Sequence, residues 1–146
     1  MQLCVQKTDP RAVIPTRSTE GSAGYDLRAV LDEPLTMQPG QRACLSTGIA
    51  VSLPSKEYVG LVFARSGLAV KHGLALSNGV GVIDSDYTGE IKVGLVNLSQ
   101  QAYQIQPGER IAQFLILPIA LPEWVEVDSL SQTERGSGGF GSTGKI

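Results

Sequence analysis

Five short stretches hold most of the side chains able to do chemistry on a ligand. "AGYDL" carries Asp26 after a Gly-Tyr pair, and "ARSGLA" carries Arg65, Ser66 and Gly67. "SNGVGVIDSDYTGE" holds Asn78, Asp84, Asp86, Tyr87 and Glu90, and "PGERIAQ" holds Glu109, Arg110 and Gln113. The C-terminal "TERGSGGFGSTGKI" adds Arg135, Phe140, Ser142, Thr143 and Lys145. An arginine just before a helix start makes an anion seat, because free backbone amides and a guanidinium converge on one point. The same Arg65-Ser66-Gly67 is also an ordinary helix N-cap, and such caps are common. Asp84 follows the apolar run "GVGVI", which sets a carboxylate at a strand end beside buried residues, where a general base belongs. With Asp86 it is also a common polar turn. Tyr87 reads as hairpin packing or as a flat surface against a sugar. Phe140 is a lone aromatic in a glycine run with no core to join, which points it at a ligand or partner. Taken together, these residues describe an anion-binding, aromatic-lidded site on a β scaffold.

Two motif matches in the tail do not hold. Gly136, Gly138 and Gly141 spell the dinucleotide fingerprint G-x-G-x-x-G, and Gly139, Gly144 and Lys145 spell most of a Walker A loop. Both patterns need a strand before the loop and a helix after it. Ile146 is the last residue, so no helix is expected there, and no Ser/Thr follows Lys145.

His72 is the only histidine, which excludes a His-rich metal site. It stands at the end of "LAVKHGL", where a helix C-terminal cation is the expected role. The net charge of −2 gives no basic surface for nucleic acid. No segment has the length of a membrane span or a signal sequence, and two cysteines suit a reducing compartment, so the expected location is cytoplasmic. Asn97-Leu98-Ser99 matches a glycosylation acceptor, which in that compartment is a chance match.

These side chains must be positioned by β structure. Hydrophobic residues make up 42% of the 146 and charged residues 18%, a globular balance that fits one domain. Proline and glycine breakers divide the chain into short runs rich in β-branched residues: "ACLSTGIAVSL", "YVGLVFA", "GVGVI", "EIKVGLVNL", "RIAQFLILPI" and "EWVEVDSL". In "EIKVGLV", Ile91, Val93 and Leu95 fall on one face and Lys92 and Gly94 on the other. Many short strands with such punctuation predict a β-sandwich or barrel. Only "SGLAVKHG" reads as helix, with about two turns. "QPGQR" and "QPGER" recur, and each Pro-Gly predicts a type II turn entering a strand. The body is expected over residues 1–130 and a glycine-rich arm over 131–146.

The five stretches, in this order and spacing, closely resemble the five motifs of the homotrimeric dUTP pyrophosphatases (dUTPases). The resemblance runs from about residue 20 to the C-terminus. It implies an all-β, jelly-roll-like fold that trimerises, with sites at subunit interfaces and a mobile C-terminal arm that closes over a neighbour's nucleotide. The implied reaction turns dUTP into dUMP and pyrophosphate, limiting uracil incorporation into DNA and supplying dUMP for thymidylate synthesis. Carried across, Asp84 is the implied base for the water attacking the α-phosphate. Tyr87 packs under the deoxyribose and leaves no room for a 2′-hydroxyl. Asn78 and the strand backbone near Val82, Ile83 and Lys92 read uracil. Arg65, Ser66, Gly67 and Gln113 hold phosphate oxygens. From the arm, Phe140 stacks on the base, Arg135 meets the terminal phosphate, and Gly141, Ser142 and Thr143 add donors. The implied cofactor is Mg²⁺, held by the substrate phosphates, with Asp26 acting on it indirectly, through water. Thr88 and Gly94 depart from what many members of the family carry. A dCTP deaminase, which shares the fold, and a non-catalytic nucleotide-binding regulator are the alternatives.

Overall fold

The computed structural model describes residues 2–139. Ten strands and one helix succeed one another: β1 Cys4–Lys7, β2 Tyr25–Arg28, β3 Leu35–Met37, β4 Arg42–Ser52, β5 Tyr58–Ala64, α1 Ser66–His72, β6 Leu74–Leu76, β7 Gly81–Ile83, β8 Glu90–Asn97, β9 Tyr103–Ile105 and β10 Arg110–Pro118. All pairings are antiparallel. One sheet has the order β1-β4-β8-β6, a second β2-β10-β5-β7, and β3 pairs with β9 in a separate ribbon. The order jumps along the chain because successive strands cross between the sheets, the jelly-roll-like arrangement expected from the motifs.

Period-2 alternation builds the core. Ile91, Val93 and Leu95 are each 1% exposed, and Lys92 on the other face is exposed. They join Ile49 of β4, Leu27 of β2, Val62 of β5, Phe114 of β10, and Met37 and Ile105 of the ribbon in one apolar cluster. Burying side chains of this size contributes about 1.5–3 kcal/mol each before chain entropy is charged.

The two Pro-Gly repeats turn as predicted. Gly40 and Gly108 have φ of 76° and 75°, and the amides of Gln41 and Glu109 donate to the carbonyls of Gln38 and Gln106 at 3.0 and 3.1 Å. The fourth side chain reinforces each turn. The Gln38 amide donates to Gln41 Oε1 and the Gln106 amide to Glu109 Oε2, both at 2.8 Å.

The predicted helix is present and ends as its residues dictate. Lys71 supplies a cation to the last turn, where His72 also stands, and Gly73 closes it at φ 68° with its amide on the Ala69 carbonyl at 3.0 Å. Asn97 is fully buried and donates Nδ2 to the carbonyls of Met37 and Gln101, so it is a structural clasp. Gly94 is explained by its neighbour: a Cβ there would lie 2.5 Å from Ser77 Oγ, and the Ser77 amide donates to the Gly94 carbonyl at 2.9 Å.

One expected strand is not formed. "EWVEVDSL" pairs with nothing, and regular structure among the described residues ends at Pro118. Trp124 is 97% exposed, with Val125, Val127 and Leu130 exposed beside it. A strand needs a ladder partner for its amides and a core for one face, and this chain offers the segment neither.

Candidate active site

The predicted site residues gather at two places. The first is a cleft of about 620 Å³ where β2, β10 and the end of β5 meet α1. Arg65 stands at the N-cap with extended backbone (φ −86°, ψ 129°) and makes no side-chain cap bond, so the ordinary capping role is not the one it serves. The amides of Ser66 and Gly67 open the helix, where no intrahelical carbonyl is available to them. Both residues line the cleft. Gln113 lines it from β10, its Nε2 donating to the Ala64 carbonyl at 3.0 Å. Gly24 makes room for it, since a Cβ at that position would press on the Gln113 side chain.

Asp26 organises this cleft. Its carboxylate, 12% exposed, is ion-paired with Arg65 Nε at 3.1 Å and accepts from Arg110 Nη1 at 3.1 Å and Ser18 Oγ at 3.0 Å. Arg65 Nη1 also donates to the Arg110 carbonyl at 3.3 Å. One carboxylate thus holds two guanidiniums, which leaves a net positive charge for an anion to meet.

A β-bulge brings Arg110 into the group. Gln113 pairs with Asp26 and Ala112 with Leu27, but Arg110 and not Ile111 pairs with Arg28. The slip leaves Ile111 and Ala112 both buried and turns Arg110 to the face that carries Asp26 and Gln113. Regular alternation would have sent it to the opposite face.

The second cleft, of about 220 Å³, is lined by Val82, Ile83, Asp84, Tyr87, Glu90, Ile91 and Lys92. Asp84 leaves β7 and begins a turn, with the Tyr87 amide donating to the Asp84 carbonyl at 3.1 Å. The carboxylate and the phenol ring are therefore fixed three residues apart on one turn. Asn78 lies in the Leu76–Gly81 connection, just before Gly79 at φ 75°.

The two clefts open at opposite ends of the β5–β7 ladder. Ile83 pairs with Gly60, and Arg65 lies five residues further along the chain from Gly60. At about 3.3 Å per residue, Asp84 and Arg65 of one chain are about 17 Å or more apart. Arg135 stands apart from both, its Nε donating to the Gly138 carbonyl at 2.9 Å. Phe140, Gly141, Ser142 and Thr143 lie outside the described residues.

A model of the dUTPase family matches residues 10–144. The chain belongs to the dUTPase family. It is 52% identical over 132 residues to the deoxyuridine 5'-triphosphate nucleotidohydrolase of Idiomarina loihiensis, covering 90% of this chain and 87% of that one. The corresponding protein of Desulfitobacterium hafniense is 48% identical over 144 residues, covering 99% and 95%. Among solved structures, the Staphylococcus bacteriophage 80alpha dUTPase with dUPNHPP superposes with a TM-score of 0.85 at 31% identity, covering 99% of each chain. A mutant dUTPase from phage phi11 of S. aureus, described with a structural Mg(II) ion, gives 0.81 at 28% identity, covering 90% of this chain and all of that one.

Two residues of the first cleft were missed by sequence reasoning. Ser18 and Arg110 were not among the expected site residues, yet both hold Asp26. Arg110 was visible in "PGERIAQ", but the bulge that aims it left no mark in the composition. No group of three or more potential metal ligands occurs among the described residues. No helix among the described residues is long and apolar enough to cross a membrane.

Proposed function

We propose that this chain is a dUTP pyrophosphatase in which Asp84 activates the attacking water. The observation that carries the reading is the Asp84–Tyr87 turn, which holds an exposed carboxylate and an aromatic face together beside the backbone of β7 and β8. Asp84 takes a proton from water as the oxygen bonds to the α-phosphorus. The bond from that phosphorus to the bridging oxygen breaks, and dUMP and pyrophosphate leave. A well-placed base contributes about 10²–10⁴-fold.

Tyr87 packs against the deoxyribose. Asn78 and the backbone at Val82, Ile83 and Lys92 meet the uracil edge. Arg65, the amides of Ser66 and Gly67, and Gln113 hold phosphate oxygens in the larger cleft. From the arm, Arg135, Phe140, Gly141, Ser142 and Thr143 close over the nucleotide. Mg²⁺ bound to the triphosphate neutralises its charge and fixes its shape. Asp26, whose oxygens are engaged by Arg65, Arg110 and Ser18, reaches such an ion only through water.

The working unit in this reading is a homotrimer. Two facts support it: a single chain holds the base and the phosphate donors at opposite ends of a strand ladder, and it leaves Trp124, Val125, Val127 and Leu130 uncovered. A neighbouring copy that brings its own motifs to the interface resolves both. The free, exposed thiols of Cys4 and Cys44 suit the cytoplasm.

The test is product analysis with dUTP, dCTP, dTTP and UTP in the presence of Mg²⁺, for the natural chain and Asp84→Asn. Conversion of dUTP to dUMP and pyrophosphate is expected. In Asp84→Asn turnover should fall about 10²–10⁴-fold with nucleotide affinity retained. Ammonia released from dCTP would move the chain to the deaminases, and near-normal turnover in the variant would remove Asp84 from its role.

A further inference from the structure

Gly89 is not a glycine for the sake of its backbone. Gly40, Gly48, Gly73, Gly79, Gly108 and Gly136 take positive φ, and Gly89 does not. What its position requires is space. A Cβ there would lie 2.6 Å from Tyr87 Oη, 2.7 Å from Cζ and 3.1 Å from Cε2. The Tyr87 ring is therefore folded back over the bare α-carbon of Gly89.

A latch keeps it there. Tyr87 Oη donates to the Glu90 carbonyl at 2.8 Å. Glu90 is itself pinned, its Oε1 accepting the Gly48 amide at 2.8 Å. Next to it, the buried Thr47 donates Oγ1 to the Ile91 carbonyl at 2.6 Å. These contacts fall where the β4–β8 register slips between Ser46 and Ala50, so the latch is anchored in a bulge of the larger fold.

We infer that Gly89 is a specificity-determining positioning residue: the space it leaves, closed by the Glu90 carbonyl, sets the depth of the Tyr87 ring and hence the exclusion of a 2′-hydroxyl. The inference rests on the reading of Tyr87 as the surface under the deoxyribose. Adding one methyl group at residue 89 forces the ring outward. Because Tyr87 is 45% exposed, the ring has solvent to move into, and the displacement falls on the site and not on the core. A displaced ring no longer presses on the sugar, so a ribose hydroxyl keeps its water.

The experiment compares kcat/KM for dUTP and UTP in the natural chain, Gly89→Ala, Tyr87→Ala and the double variant, with thermal unfolding as a check on folding. The ratio of the two substrates is the readout, because both use the same base and any damage to that step cancels. Gly89→Ala is expected to lower the dUTP preference about 10- to 100-fold, the range for rejecting an added hydroxyl by shape. Tyr87→Ala should lower it as far, and the double variant no further than Tyr87→Ala, since the two substitutions remove one device. If Tyr87→Ala keeps the natural ratio, the sugar-surface reading of Tyr87 fails. If Tyr87→Ala loses the preference and Gly89→Ala keeps it, that reading stands and the inference about Gly89 is overturned. Multiplying losses in the double variant, or a Gly89→Ala protein that does not fold, would also overturn it.

Discussion

Replacing Asp26 with asparagine tests the organisation of the proposed phosphate cleft most directly. The carboxylate is ion-paired with Arg65 at 3.1 Å, accepts from Arg110 at 3.1 Å and Ser18 at 3.0 Å, and is 12% exposed. Asparagine keeps one oxygen, enough for one guanidinium, and turns an NH₂ group toward the other. The change removes one charge-assisted hydrogen bond, worth about 1.5–3 kcal/mol. It also leaves two arginines without their shared counter-charge. Breaking a fully buried pair costs about 3–5 kcal/mol. Here Arg65 and Arg110 are 27% and 40% exposed, so water relieves part of the loss. The expected destabilisation is about 2 kcal/mol, which for a chain of this length lowers Tm by about 4–8 °C. Binding suffers as well. In its proposed phosphate-holding role, an unanchored Arg65 must give up about 1–2 kcal/mol of rotamer entropy on binding, which should weaken dUPNHPP about tenfold. Turnover at saturation should change less, because the proposed base, Asp84, lies in the other cleft. Thermal melts at fixed protein concentration and titration with dUPNHPP measure the two effects. An unchanged Tm together with unchanged affinity would refute the claim that Asp26 holds the two arginines in place.

Two more outcomes are expected. Burial pushes the Tyr103 phenol up to about 12, helped by its 2.6 Å hydrogen bond to Glu109 Oε1. A raised folded-state pKa means the protonated phenol contributes fully below its ordinary value near 10 and is lost as pH climbs toward 12. Urea midpoints measured across that window should decline in the natural chain and stay flatter in Tyr103→Phe; equal declines would show that Tyr103 is not responsible. Deleting residues from Arg135 onward should leave a folded protein with the natural Tm and strongly reduced dUTP hydrolysis, and full activity in the truncated chain would end the closing role assigned to the arm.

The sequence by itself determined the local pieces. Period-2 alternation made Ile91, Val93 and Leu95 a core face, Pro39-Gly40 and Pro107-Gly108 made turns, and "SGLAVKHG" made a two-turn helix closed by Gly73. Each of these depends on neighbours within a few residues, which is the range at which composition and spacing act. The five motifs likewise carried the family and with it the jelly-roll-like fold. Tertiary structure decided what depends on distant partners. "EWVEVDSL" has strand composition but forms no strand, because a strand exists only where a ladder partner and a face to bury are supplied. Arg110 faces Asp26 because one bulge in β10 reverses the alternation, a slip with no signal in a string of residues. Gly94 stood out in the sequence only as a departure from the family pattern, and only packing showed that it yields to Ser77, as Gly89 yields to Tyr87. The placing of Asp84 and Arg65 at opposite ends of one ladder was also invisible in a linear order that sets them 19 residues apart (84 − 65 = 19). Strand registers convert such separations into distances, and a register is a property of two segments that neither contains alone.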